Sequence, residues 1–297
     1  MIEFEKIILI PTPLIPVYDS SFEKKKVEVW IKRDDLTHPE VSGNKFRKLK
    51  YNLMEARRSD SDHLVTFGGA YSNHIFAVAA AGHYFNFKTT AFIRGDELNP
   101  DSSPTLRFAS EKGMTLRFVS REAYRHKEEL VKKTSSSDYL IPEGGSNRLA
   151  LAGVAEMADE ILEKTQADFI CCAAGTGGTL AGILSNTKYK GKVLGIPVLK
   201  GGEFIRQEVT QLLGYDPGER LILKTGYHFG GYGKTKPELS AFIESIQHNH
   251  NIPLEYVYTG KLFFAVYDLI NQGFFPEGSG IVIVHTGGLQ KNSPSNS

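Results

Sequence analysis

The 297-residue sequence predicts an α/β protein of two lobes, each built on an open, mostly parallel sheet. Three observations predict it. Short β-rich runs alternate with longer helical patterns, as parallel strands joined by helices do. Several of the short runs are apolar throughout, as strands buried on both faces are. Glycine clusters follow four of them, at the carboxyl ends where an open α/β sheet binds its ligand.

The strand runs are Leu64–Phe67, Thr89–Arg94, Thr115–Val119, Tyr139–Ile141, Phe169–Ala173, Val193–Val198 and Ile281–His285. The helical patterns are Asn73–Phe85, Ser103–Lys112, Asn147–Lys164, Leu180–Asn186 and Glu203–Leu213. In the third, Leu149, Val154, Met157 and Ile161 keep near-helical spacing while Glu156, Asp159 and Glu163 take the other face. A further helix opens at Asn44 as its cap and buries Phe46, Leu49, Leu53 and Ala56. Lys45 then lies at the edge of the buried face, and Lys48 points further toward solvent. His248 and His250, in a polar stretch, read as a solvated turn. Residues 291–297 read as a disordered tail.

Composition narrows the function. The charges are 35 Lys+Arg against 34 Asp+Glu, a net +1, which leaves no electrostatic footprint for nucleic acid or an anionic membrane. The apolar run Phe76–Ala81 is far short of the ~20 residues that span a bilayer. No basic, then apolar, leader pattern opens the chain, so the expected location is the cytoplasm. The two cysteines, Cys171 and Cys172, are adjacent in an apolar strand and make neither a disulfide framework nor a metal site.

Glycine is the one modest excess, 29 residues against a usual ~7%. Fourteen of these lie in short clusters. Any single cluster is explained as an ordinary turn; four at strand ends favour a ligand site. The strongest local case is Phe169 to Gly182, a strand running into Gly175-Thr176-Gly177-Gly178-Thr179 and then a helix. Backbone N–H groups and threonine hydroxyls there form a phosphate cradle. It is no dinucleotide fingerprint, because Leu180 stands where the third glycine would be, and no Gly-Lys-Ser/Thr follows it. A phosphate site without nucleotide motifs points to a phosphorylated cofactor that uses a lysine, pyridoxal 5'-phosphate above all, with Lys45 as the candidate.

At this point Ile31-Lys32-Arg33-Asp34-Asp35-Leu36 and Ser42-Gly43-Asn44-Lys45-Phe46-Arg47-Lys48 carry a resemblance. So do Gly68 to His74, Pro142 to Asn147, Ala174 to Thr179, Tyr258-Thr259-Gly260-Lys261 and His285-Thr286-Gly287-Gly288. Together they resemble the fold-type II, tryptophan synthase beta-like enzymes that use pyridoxal phosphate. More narrowly they resemble the family of D-cysteine desulfhydrase and 1-aminocyclopropane-1-carboxylate (ACC) deaminase. The resemblance spans nearly the whole chain in order.

It implies that Lys45 holds the cofactor covalently, Asn73 bonds its ring hydroxyl, and Gly175, Thr176, Gly177, Gly178 and Thr179 bind its phosphate. It implies that Ser72, with Asn73 and His74, receives a small amino-acid substrate, and that Ser72 holds its carboxylate or assists attack on it. Tyr258 would stack near the ring and Tyr232 would line the substrate side; core packing explains either tyrosine without the resemblance. It further implies a homodimer, with residues 1–46 and 148–297 as a large cofactor lobe and residues 47–147 as a small inserted lobe. The deaminase branch has Glu where this chain has Thr259 and Leu where it has Thr286; both departures resemble the desulfhydrase branch. A hydroxyl at the pyridine nitrogen makes a weaker electron sink than a carboxylate. That suits loss of a good leaving group better than opening of a cyclopropane. The expected activity is β-elimination from a small D-amino acid such as D-cysteine, with ACC deamination as the alternative.

Overall fold

The structure, a computed structural model, describes residues 2–132 and 134–289. The tail expected at 291–297 lies outside them. Ten strands and eleven α-helices are ordered along these residues. The strands are β1 (Leu14–Val17), β2 (Glu28–Lys32), β3 (His63–Gly68), β4 (Lys88–Arg94), β5 (Thr115–Val119), β6 (Tyr139–Leu140), β7 (Phe169–Ala174), β8 (Lys192–Pro197), β9 (Leu221–Leu223) and β10 (Gly280–Val284). The helices are α1 (Ser20–Lys24), α2 (Asn44–Arg58), α3 (Asn73–Phe85), α4 (Pro104–Glu111), α5 (Arg121–Arg125), α6 (Lys127–Val131), α7 (Arg148–Leu162), α8 (Gly178–Ser185), α9 (Ile205–Leu213), α10 (Pro237–His250) and α11 (Thr259–Asn271).

They form two sheets. Six strands lie in the order β1-β2-β10-β7-β8-β9, and four in the order β5-β4-β3-β6. Only the β1–β2 pair is antiparallel; every other pairing is parallel. The four-stranded sheet is built wholly between β2 and β7 of the larger one.

Side-chain alternation explains the larger sheet. Phe169, Cys171 and Ala173 of β7 face one core with α10 and α11, while Ile170, Cys172 and Ala174 face another with α7 and α8. β10 splits the same way, Ile281 and Ile283 against Val282 and Val284. Both strands are therefore apolar in every position, which is why they read plainly as strands. The smaller sheet covers one face with α2, α3 and α4 through Phe46, Leu49, Leu53, Leu64, Ile75 and Leu106.

The structure corrects several expectations. β1, β2, β9, α10 and α11 have no counterpart in the sequence reading. His248 and His250 sit in the last turn of α10, not in a loop. Gly43, not Asn44, precedes α2 as its cap, and Asn44 is the first helical residue. Elsewhere the local signals act as expected: Ser72, Ser103 and Asn147 each accept an N–H at the start of their helix.

One polar cluster is buried save for the edge of Glu160. Arg47 on α2 pairs with Asp34 at 2.9 Å and with Glu160 of α7 at 2.6 Å, and Lys32 of β2 pairs with the same Glu160 at 2.5 Å. The Lys32 ammonium also donates to the Thr12 carbonyl, and the Thr12 hydroxyl donates to Asp34. Burial alone would pull the Arg47 guanidinium down, but the two carboxylates outweigh it and hold its pKa above the ordinary value. Two positive and two negative charges meet there, so no net charge is buried.

Candidate active site

The carboxyl ends of β3, β6, β7 and β10 converge on one cavity of about 500 Å³. Each end carries a glycine cluster, and Gly69, Gly144, Gly175 and Gly287 all line the wall. The expected residues Lys45, Ser72, Asn73, His74, Thr176, Gly177, Gly178, Thr179, Tyr232, Tyr258 and Thr286 line it too. Lys45 and Thr286, near opposite ends of the chain, thus share one chamber.

The start of α2 brings the two lysines in. Gly43 takes φ +61°, and a Cβ on it would run into the Thr286 carbonyl. Only glycine lets α2 begin this close to the end of β10. Asn44 follows, and its amide donates to the Thr179 hydroxyl at 2.9 Å. Lys45 comes next, at the cavity wall. Lys48, expected to point toward solvent, is instead buried: its ammonium donates to the Gly144 carbonyl at 3.2 Å and the Ser146 hydroxyl at 3.1 Å. The Ser146 and Thr176 hydroxyls lie 3.1 Å apart. Lys48 thus ties α2 to the loop after β6 and, through Ser146, to the loop after β7. The sequence reading missed it because a helical wheel cannot show that a second sheet closes over that face. Burial, then the charge of Lys45, drives the Lys48 amine well below its ordinary pKa.

Opposite stand Ser72, Asn73 and His74, at the start of α3. The Ser72 hydroxyl accepts the Ile75 N–H at 3.3 Å, which leaves its own proton to donate. The Thr66 hydroxyl donates to the Ile141 carbonyl, so it accepts from His74 Nε2 at 2.8 Å. That fixes His74 as the Nε2–H tautomer and leaves Nδ1 an acceptor, buried and without a partner. Burial, Lys45 and Lys48 all push the imidazole well below its ordinary pKa, so it stays neutral.

The third wall comes from the start of α11. Tyr258 precedes the helix, lies against Gly175 and meets Tyr232 edge to face, ring centres 6.0 Å apart. Burial and Tyr232 raise the Tyr258 phenol well above its ordinary pKa. Two residues that the sequence reading did not single out hold this wall. The buried Glu255 carboxylate accepts the N–H groups of Val257, Tyr258 and Thr259 at 2.6–2.7 Å and caps α11. The buried Lys261 donates to the carbonyls of His228 and Gly231, both at 2.8 Å, and so anchors the loop that carries Tyr232. An acidic residue just before a helical run was the available signal for Glu255; Lys261 had none. Thr259 is not at the cavity. Its hydroxyl lies within the same cap, accepting from the Glu255 N–H at 3.0 Å. Of the two threonines that depart from the deaminase pattern, only Thr286 faces the chamber.

The chamber suits a phosphorylated, lysine-bound cofactor. The lining joins the Lys48 amine, the Ser146, Thr176 and Thr179 hydroxyls, and the opening of α8, whose first N–H groups have no intrahelical acceptor, with the Lys45 amine left to hold the cofactor. That donor set matches a dianionic phosphate. Gly178 leaves the space open, since a Cβ there would run into the Ser146 hydroxyl and come within 2.8 Å of the Lys48 ammonium. The Ser72 hydroxyl keeps a proton to donate at the wall of the chamber, and the bare Nδ1 of His74 lies beside Gly145. Among the described residues no group of three or more His, Cys, Asp or Glu side chains could hold a metal ion. No helix there is long and apolar enough to cross a membrane.

The chain is similar over most of its length to known proteins. The chain is 34% identical over 293 residues to the bifunctional D-cysteine desulfhydrase/1-aminocyclopropane-1-carboxylate deaminase of Arabidopsis thaliana, covering 88% of this chain and 72% of that protein. It is 28% identical over 312 residues to the D-cysteine desulfhydrase of Klebsiella pneumoniae, covering 95% and 93%. Among solved structures, that of an ACC deaminase homologue superimposes with a TM-score of 0.78 at 31% identity, over 96% of this chain and 92% of that one. The family model described as pyridoxal-phosphate dependent enzyme matches residues 7–287. With that match and this donor set, the chain belongs to the pyridoxal-phosphate-dependent enzymes of fold-type II, and its cofactor is pyridoxal 5'-phosphate.

Proposed function

We propose that the protein is a β-elimination lyase that converts a small D-amino acid, D-cysteine as the reference substrate, to pyruvate, ammonia and sulfide. The observation that carries this reading is Thr286. At the end of β10 the chain places a threonine, not a carboxylate, on the chamber wall, and the buried carboxylates nearby are committed elsewhere, Glu255 to the α11 cap and Asp35 to Arg33 and His285.

When bound, pyridoxal phosphate draws electrons away from the α-carbon of the attached amino acid. The chain's residues do the rest. Lys45 would hold the cofactor, and its amine when free would be the base that takes the α-proton. Lys48, Thr176 and Thr179 hold the phosphate with the α8 N–H groups. Ser72 donates its proton to the substrate carboxylate, and Asn73 and His74 fix the orientation. Tyr232 and Tyr258 close the substrate side and exclude water. Thr286 would offer the cofactor ring a neutral hydroxyl in place of a carboxylate, a weaker electron sink that would suffice for a thiol to leave.

The alternative is opening of ACC to 2-oxobutanoate and ammonia, favoured by the bifunctional name of the Arabidopsis relative. Residues 1–46 with 148–297, and residues 47–147, serve in this reading as two lobes that close on the substrate. A homodimer in the cytoplasm completes it, on the strength of the family resemblance and of two buried cysteines left as free thiols.

Purified holoenzyme is assayed against D-cysteine, L-cysteine, D-serine, β-chloro-D-alanine and ACC. Sulfide and pyruvate from D-cysteine are expected. 2-Oxobutanoate from ACC with nothing from D-cysteine reverses the order. Lys45→Ala is expected to lose the visible absorbance of the lysine-bound cofactor and at least about a hundredfold in rate. A variant that behaves like the parent removes both enzyme readings.

A further inference from the structure

A second hollow, of about 630 Å³, lies at the carboxyl ends of the smaller sheet. It shares Gly69, Ala70, Tyr71, Arg94 and Glu143 with the inner chamber, so the two are contiguous. Its charge is lopsided: Arg94, Arg121, Arg125 and Lys127 face Glu97 and Glu143. Arg121 pairs with Glu97 at 2.5 Å and Lys127 with Glu143 at 3.1 Å. Arg94 and Arg125 form no ion pair among the described residues.

Arg94 stands at the junction. It ends β4, and its guanidinium lies 5.7 Å from the ring centre of the buried Tyr124. A Cβ on Gly69 would lie 3.6 Å from its Nη2, so the cation is beside the loop that leads to Ser72. An unpaired guanidinium at the mouth of a chamber, with an excess of positive charge beyond it, favours an anion reaching outward.

We propose that the outer hollow is a substrate subsite that receives the anionic end of a β-substituted alanine, with Arg94 as its principal contact. The leaving group of such a substrate carries a carboxylate, sulfonate or phosphate. This inference rests on the lyase reading above and names its substrate class; D-cysteine, whose thiol carries no such anion, is then a compact relative of that class that does not reach the subsite. The bond from Cβ to the leaving heteroatom breaks, and its electron pair departs with the anionic group, which takes up a proton. The three-carbon remainder takes up water to give pyruvate and ammonia.

The test uses the holoenzyme, wild type, Arg94→Gln and Arg94→Glu. Substrates are D-cysteine, S-carboxymethyl-D-cysteine and O-phospho-D-serine. Turnover is measured, and affinity is read from the change in cofactor absorbance on titration. Wild type is expected to prefer at least one anionic substrate over D-cysteine. Arg94→Gln is expected to lower that preference about tenfold, through KM and apparent affinity rather than kcat, and Arg94→Glu to lower it further. An equal fall for every substrate overturns the subsite, because Arg94 then serves the shared carboxylate or the fold. A preference absent from wild type, or unmoved in both variants, also overturns it, while D-cysteine turnover keeps the lyase reading standing. No turnover and no absorbance change with any of the three removes the lyase reading and the subsite together.

Discussion

Gly178 has no room for a side chain, lying between the Ser146 hydroxyl and the Lys48 amine at the opening of α8. Gly178→Ala would put a methyl group where the phosphate donors converge. The expected result is cofactor affinity weakened at least about tenfold with the fold retained, measured by equilibrium titration of apo protein and by circular dichroism. Unchanged affinity would mean that the phosphate does not rest on this turn. Much at this scale was readable beforehand. Gly175 to Thr179 announce themselves because a strand, a glycine turn and a helix start follow one another without a gap. Lys45 is marked by its motif. Lys48 is not, since its burial comes from Gly144 and Ser146, nearly a hundred residues further on. Glu255 and Lys261 escape for a similar reason: each acts on backbone groups that only the folded loop exposes.

Among the elements, α11 does most for the site and was not foreseen. Tyr258-Thr259-Gly260-Lys261 stands out as a motif, and a glycine in its first turn hides the helical run that follows. β1 and β2 escape because each is four or five residues long and only partly apolar. By contrast α3, α4 and α7 carry caps, with a continuous apolar run in α3 and periodic apolar faces in α4 and α7, and their bounds fall within two residues of expectation. Lys261 gives α11 a measurable handle. Burial pushes its amine down from 10.5 to about 8, against the pull of Glu255. Between those values the unfolded chain binds the proton that the folded chain has lost. Wild-type stability relative to Lys261→Met therefore rises as pH climbs from about 8 to about 10.5. Denaturant unfolding across that range checks it; a flat difference would place the amine in water.

For the whole molecule, the consequential fact is that the smaller sheet interrupts the larger one. Strand–helix alternation foretold parallel sheets but not how they join, because the crossing contacts are long-range and polar. The proposed ligand touches both: Ser72, Asn73 and Ser146 follow strands of one sheet, Thr176, Thr179 and Thr286 strands of the other. Binding it should clamp the two. Adding pyridoxal phosphate to apo protein is expected to raise the unfolding midpoint, by the equivalent of about 2.7 kcal/mol at a hundredfold excess over Kd. Amide exchange should slow both at residues 69–74 and at 175–179. Protection confined to the second segment would mean that only one sheet grips the cofactor.

The buried cluster of Lys32, Asp34, Arg47 and Glu160 bears on this clamp. Arg47 lies two residues past Lys45, on another side of the same helix turn. Moving α2 along its axis by even one turn would part the Arg47 guanidinium from both its carboxylates and leave Arg47 and Asp34 buried without their ion pair, a penalty far above thermal energy. The helix therefore works as a keyed shaft. The quartet is the key, and the reactive amine is a tooth whose angle and reach are set from behind, by groups that never meet the substrate.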